Sequence, residues 1–265
     1  SFNQWIIEQQ CQAKVLNADE TGININGILH WLHSLSNDKT TYFHPDEKRG
    51  STAMDAMEVL PHFKGVLCHD HWKPYYKYGC IHALCNAHHV RELKRAYEQD
   101  NQEWAKKIED LLKEMNKAVH ISKNGVLSEE EITSYEHKYM DILESGKQEC
   151  PEEEVTKGTA KTGRIKRTRA RNLLNRLIKF KADALRFCQD ADIPFTNNSA
   201  EREIRMTKVH QKVSGCFRTM DGAKRFCRIR SYIKTCQKHG IKSVEALRML
   251  FDGETPEFMN PPTPP

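Results

Sequence analysis

Three carboxylates are the residues of this 265-residue chain best placed to do chemistry: Asp19 in NADETG, Asp70 in GVLCHDHW and Glu201 in TNNSAERE. Asp19 and Asp70 each close a short apolar run. If those two runs pair as parallel strands, both carboxylates reach one sheet edge. Neighbouring carboxylates repel, and the pair becomes stable when a hard cation such as Mg²⁺ takes their oxygens and keeps water or phosphate oxygens in the rest of its octahedron. Glu201 would add a third ligand from a helix start. Each residue also has a plainer reading. Asp19 and Asp70 suit turns or caps, and Asn198 with Glu201 has the spacing of a capping box.

A second cluster is CIHALCNAHH, residues 80–89. On a helix, His82, Cys85 and His88 share one face, and neutral imidazoles with a thiolate suit tetrahedral zinc. Two-residue gaps within one helix differ from the paired knuckles of structural zinc sites, so packing and hydrogen bonding are the expected roles. Basic residues form a third group. Arg202 and Arg205 follow Glu201 by one and four positions, so its helix also projects cations to where phosphates would sit. Lys48, Arg49 and the cluster holding Arg164, Arg167, Arg169 and Arg171 extend that track. Trp72, Tyr75 and Tyr76 suit base stacking or core packing, and Asn197 and Asn198 suit phosphate contact or helix capping.

The elements that must position these residues fall into two styles. The first hundred residues carry short apolar runs at 15–16, 28–35, 40–43 and 66–68, separated by Asn, Gly, Asp and Pro, which predict four strands. A helix over 51–63 would let the fourth strand return in parallel to an earlier one. From His82 the pattern turns helical, with stripes through Leu84, Ala87, Val90, Leu93 and Tyr97, then Trp104, Ile108, Leu111, Met115 and Val119. Ser128 with Glu131 predicts a capping box, 158–163 a loop, and 161–182 a basic amphipathic helix with nine cations and no acid. Helices restart near Ser199 and Asp221, one stopping at Gly240, before a Pro-rich end.

These segments predict an α/β protein divided as 1–98, a helical 99–192, a returning 193–252 and a tail 253–265. Charge follows the division. Residues 98–154 hold sixteen acidic against seven basic residues, and 202–250 thirteen basic against three acidic. Nine scattered cysteines, an odd number without framework spacing, favour a reducing cytoplasm, and no apolar run is long enough to span a bilayer. The start, SFNQWIIEQQ, has neither Met nor the apolar core of a signal peptide, so the chain is expected to be a fragment of a longer one.

Five ordered segments, NADETG, YFHPDEKRG, GVLCHDHWKPYY, HALCNAHHVREL and TNNSAEREIR, together resemble the DDE transposases of the insertion sequence 66 family, over about residues 15–250. That resemblance implies a ribonuclease H-like mixed sheet flanked by helices, with a large helical insertion between the second Asp and the Glu. It implies Asp19, Asp70 and Glu201 as ligands of two Mg²⁺ or Mn²⁺ ions, and cleavage and strand transfer of DNA at the ends of a bacterial insertion sequence. It further implies homo-oligomers on DNA, accessory proteins of the same element, and a cytoplasmic, nucleoid-associated protein. The family's DNA-end recognition region has no counterpart here. One departure concerns the turn after Asp70, where a small Gly is usual and His71-Trp72 stands instead. The rival reading is a non-catalytic DNA-binding module with a structural zinc site.

Overall fold

A computed structural model describes residues 1–151 and 167–260. Its contacts divide into two compact units, one formed by Ser1–His82 with Asn197–Pro265 and the other by Ala83–Thr196.

The first unit is built on a five-stranded mixed sheet. After helix α1 (Phe2–Cys11) come β1 (Val15–Ile25), β2 (Ile28–Ser36) and β3 (Thr41–Asp46), then α2 (Ser51–Ala56), β4 (Val66–His69) and β5 (Ile81–Leu84), in the spatial order β3-β2-β1-β4-β5. Three expectations need correction. The first strand does not end at Asp19 but continues six residues to Ile25, where it turns into β2. The turn is Asn26-Gly27, both at positive φ (50° and 84°), the geometry that Asn-Gly supplies for a tight two-residue hairpin. A fifth strand also forms within the segment read as the start of a helix. The helix expected over 51–63 is shorter, ending at Ala56.

The β1 side chains alternate between two cores. Leu16 and Ala18 face one built from Ile6, Met54, Leu60, Phe63 and Tyr75, on the side of α1 and α2. Ile23 and Ile25 face the other. That second core is closed by the returning chain, α8 (Asn198–Ser214) and α9 (Met220–Lys238), which contribute Ile204, Ala223 and Cys227. Here α8 buries Ala200, Ile204 and Thr207, spaced four and three residues apart on one face. The sheet edge at β3 is covered by α9: Phe43 N–H donates to Ser231 Oγ (2.9 Å) and Thr41 N–H to Thr235 Oγ1 (3.2 Å). A final helix, α10 (Ser243–Asp252), packs on α9 through Ala246 and Tyr232.

The second unit is helical: α3 (Asn86–Asp100), α4 (Glu103–Ile121), α5 (Glu129–Glu149), α6 (Arg169–Lys179) and α7 (Lys181–Leu185). Ser128 and Glu131 form the expected capping box at α5. Trp104, Tyr139 and Leu174 are fully buried at its centre. Gly146 permits that packing, since a Cβ there would lie 2.6 Å from Trp104 Cγ and 2.9 Å from Leu174 Cδ1. Of the basic stretch 161–182, α6 is helical with Leu173, Leu174 and Leu177 buried as expected. The loop expected at 158–163 lies outside the described residues. No helix among the described residues is long and apolar enough to cross a membrane.

Candidate active site

Strand register brings the first two carboxylates together. In the parallel β1–β4 pair, Asn17 stands opposite Cys68. Asp19 and Asp70 each lie two residues further on, side by side where β4 ends. The pleat then sorts Asp19 from its neighbour: Asp19 shares the Ile23 face, toward α8, and Glu20 shares the Leu16 and Ala18 face. Glu201 enters from the first turn of α8. That helix start is tied to β1 by Asn197, a buried residue whose Nδ2 donates to the Ala18 carbonyl at 2.7 Å. The capping-box reading of Asn198 and Glu201 does not hold. Asn197 occupies the cap position, no side chain caps the helix, and Asn198 is its exposed first residue.

The electrostatics register this gathering of charge. Asp19 is pushed up to about 7, chiefly by burial, then by the charges of Glu20, Asp70 and Glu201; the hydrogen bond from Glu20 N–H opposes the rise. Asp19 Oδ1 accepts that bond at 2.9 Å, and Asp70 Oδ1 accepts from Trp72 N–H at 3.0 Å. Each aspartate thereby commits one oxygen to a nearby backbone amide, Asp19 within β1 and Asp70 in the turn that follows it, and keeps the other without a hydrogen-bond partner among the described residues. The spare carboxylate oxygens of Asp19 and Asp70, in a region of excess negative charge, suit Mg²⁺ or Mn²⁺.

Glu20, next to Asp19 in sequence, is engaged elsewhere. Its Oε1 accepts from Arg49 Nε (3.1 Å) and Nη2 (2.7 Å), and its Oε2 from Tyr75 Oη (2.6 Å). Burial raises the Glu20 carboxyl despite those bonds. The Arg49 guanidinium lies over two indoles, 4.8 Å from the Trp31 ring centre and 4.2 Å from that of Trp72. Trp72 also meets Tyr75 edge-on at 5.9 Å. Its ring therefore has a packing role beside the site. Glu203 is likewise engaged, buried against Lys234 (3.2 Å) and Lys238 (4.0 Å).

The remaining sequence candidates scatter. Lys48, Asn198, Arg202 and Arg205 are exposed in the first unit, the last two on the helix that carries Glu201. Arg167 and Arg169 are exposed at the start of α6 in the second unit. Arg171 differs: it is buried, and Nη1 donates to the Cys150 carbonyl at 2.9 Å and the Lys147 carbonyl at 3.4 Å, pinning the end of α5. Arg164 lies outside the described residues. The single helical face expected for His82, Cys85 and His88 does not form, because His82 sits on β5; Cys85, the residue before α3, and His88 within it do bring ligand atoms within 4.8 Å of each other. Trp31 and His69 were not singled out by sequence as parts of the site's frame, and Asn197, read there as a phosphate contact or cap, was not expected to tie α8 to β1. They act through contacts from distant segments, which no local pattern announces.

The family described as "Transposase IS66 family" matches residues 1–225 of the chain. Among curated proteins, none matches.

Proposed function

Because the chain belongs to the IS66 transposase family, we propose that it is the catalytic core of a DNA transposase, cutting and joining phosphodiesters at the ends of a bacterial insertion sequence with divalent cations held by Asp19, Asp70 and Glu201. The observation that carries this reading is the Asp19 carboxyl, raised to about 7 in part by Glu20, Asp70 and Glu201. A DNA-binding module has no use for such mutual repulsion, whereas a metal-dependent nuclease does: the cation that relieves it is the cofactor. Bound there, a pair of Mg²⁺ or Mn²⁺ ions would supply Lewis-acid polarisation of the scissile phosphate and ease deprotonation of water or a 3′-hydroxyl.

The protein's own groups have separable tasks in this reading. Asp19 and Asp70 offer the oxygens not spent on backbone amides, and Glu201 adds a third carboxylate from α8. Arg49 compensates Glu20 and keeps it from competing for the cation. Arg202 and Arg205 contact phosphate beside the reacting bond, with Lys48 and Asn198 at its margin. Arg167 and Arg169 hold DNA backbone on the helical unit. The mixed sheet with helices on both faces serves as a ribonuclease H-like core, and the helices between Asp70 and Glu201 as its insertion. We further propose that the protein works in the bacterial cytoplasm as a homo-oligomer on DNA, since two element ends are processed together, with accessory proteins of the same element.

Glu201→Gln tests the assignment on cognate element ends. Gln keeps the shape and removes the charge. Mg²⁺-dependent cleavage should fall by ~10²-fold or more, the scale on which removing one electrostatic stabiliser of a transition state is felt, with melting temperature and DNA affinity near wild type. Retained cleavage with wild-type metal dependence would remove Glu201 from the site.

A further inference from the structure

Asp70 sits at the tip of an unusual turn. His71, the next residue, has φ +73°, in the left-handed region that non-glycine residues rarely enter and that persists only where the surroundings over-determine it. Two bonds bracket the aspartate. Its own Oδ1 accepts from Trp72 N–H, and the ring of His69, on its other side, reaches across it to accept from His71 N–H at 3.1 Å.

The second bond fixes the state of a buried imidazole pair. A backbone N–H can only donate, so His69 Nδ1 must carry the lone pair and Nε2 the proton. His69 Nε2 lies 3.2 Å from His82 Nδ1, which must therefore accept. That leaves the His82 proton on Nε2, 3.3 Å from the Tyr78 carbonyl, which can only accept. With both rings neutral, one proton arrangement satisfies all three contacts. His69 is fully buried, and burial with the neighbouring His82 and His71 holds its imidazole well below the ordinary range. Tyr76 packs on both rings, 5.2 Å from His69 and 4.4 Å from His82.

We propose that His82 is a positioning residue for Asp70, orienting His69 from β5 so that His69 holds the turn from which Asp70 presents its free oxygen; the proposal rests on the reading of Asp70 as a metal ligand. Asn and Gln at position 82 separate this role from general packing. Asn places an acceptor where His82 Nδ1 lies, and Gln places its amide nearer the Nε2 position.

Three measurements on the full 265-residue chain test it. In wild-type protein, imidazole nitrogen chemical shifts should show both His69 and His82 protonated on Nε2; a proton on His82 Nδ1 would overturn the proposal without any variant. Hydrogen exchange of the His71 amide in metal-free protein should quicken by about tenfold or more in His82→Gln and stay near wild type in His82→Asn. Calorimetric titration with Mn²⁺ alone should show affinity about tenfold weaker in His82→Gln and near wild type in His82→Asn, the scale of losing an outer support of a ligand. Equal His71 exchange and equal Mn²⁺ affinity in all three proteins would refute it. Asp70→Asn serves as the separate control. If Asp70→Asn binds Mn²⁺ as tightly as wild type, the assignment of Asp70 as a ligand falls, whatever the tautomers and amide exchange show.

Discussion

Asp19→Asn should make the metal-free protein more stable at neutral and alkaline pH. The Asp19 carboxyl titrates at about 7 in the folded protein against 3.8 as its ordinary value. A folded pKa raised above the unfolded one means the native state binds more protons between those values, so stability falls as pH rises through that window and the full cost is present above it. At about 1.4 kcal/mol for each pH unit between the two values, the cost is roughly 4 kcal/mol or a little more at pH 8. Asn removes the charge and keeps the oxygen that accepts from Glu20 N–H. For a chain of this size that corresponds to a melting temperature about 10 °C above wild type at pH 8, shrinking to nothing below pH 4. The assay is thermal unfolding across pH in the presence of a chelator, repeated with millimolar Mn²⁺. Added Mn²⁺ should raise the wild type toward the variant and leave the variant unmoved. A variant no more stable than wild type at pH 8, or a difference that does not change with pH, would refute the reasoning that Asp19 is destabilised by buried like charge.

Gly146→Ala should cost about 2–4 kcal/mol by thermal or denaturant unfolding, because the new Cβ would overlap Trp104 and Leu174 where α4, α5 and α6 meet. Gly27→Ala should cost about 1–2 kcal/mol through its φ of +84° alone, since open space surrounds the new methyl. Replacing Arg167 and Arg169 together with Gln should flatten the slope of log DNA affinity against log salt by about 0.9 for each phosphate no longer neutralised. Arg171→Gln should instead lower the melting temperature, because the buried carbonyls of Lys147 and Cys150 lose a donor. A shallower salt slope with unchanged stability would return Arg171 to the DNA-facing set.

The central juxtaposition was legible in the sequence because it depends on simple geometry. Two apolar runs of similar type, each followed by an aspartate and separated by a helical excursion, pair in parallel and set Asp19 beside Asp70. The length of β1 was obscured because NADETG is polar: one face of that strand carries site residues where a core strand would carry apolar ones. The Asn26-Gly27 turn beyond it was a signal that could have extended the strand. The β5 strand was lost because Ile81–Leu84 is short and runs directly into α3, whose periodicity swallowed it. Arg171 misled because its chemical type fitted a basic helix while its position fell on the buried side. Glu20 could be resolved only by tertiary contact, since its partners Arg49 and Tyr75 lie 29 and 55 residues away.

The hydroxyls of Ser231 and Thr235 have a consequence for how this protein comes to exist. They satisfy the β3 edge from 188 and 194 residues downstream. A ribosome that has delivered the first strands has produced a sheet with an open flank, capable of pairing with any passing strand. The contiguous helical unit, Ala83–Thr196, emerges next. The earlier sheet must wait through that synthesis for α8 to close its second core and α9 to seal its flank. The strands made before the helical unit are therefore finished after it, and their survival in the interval depends on how quickly the rest arrives.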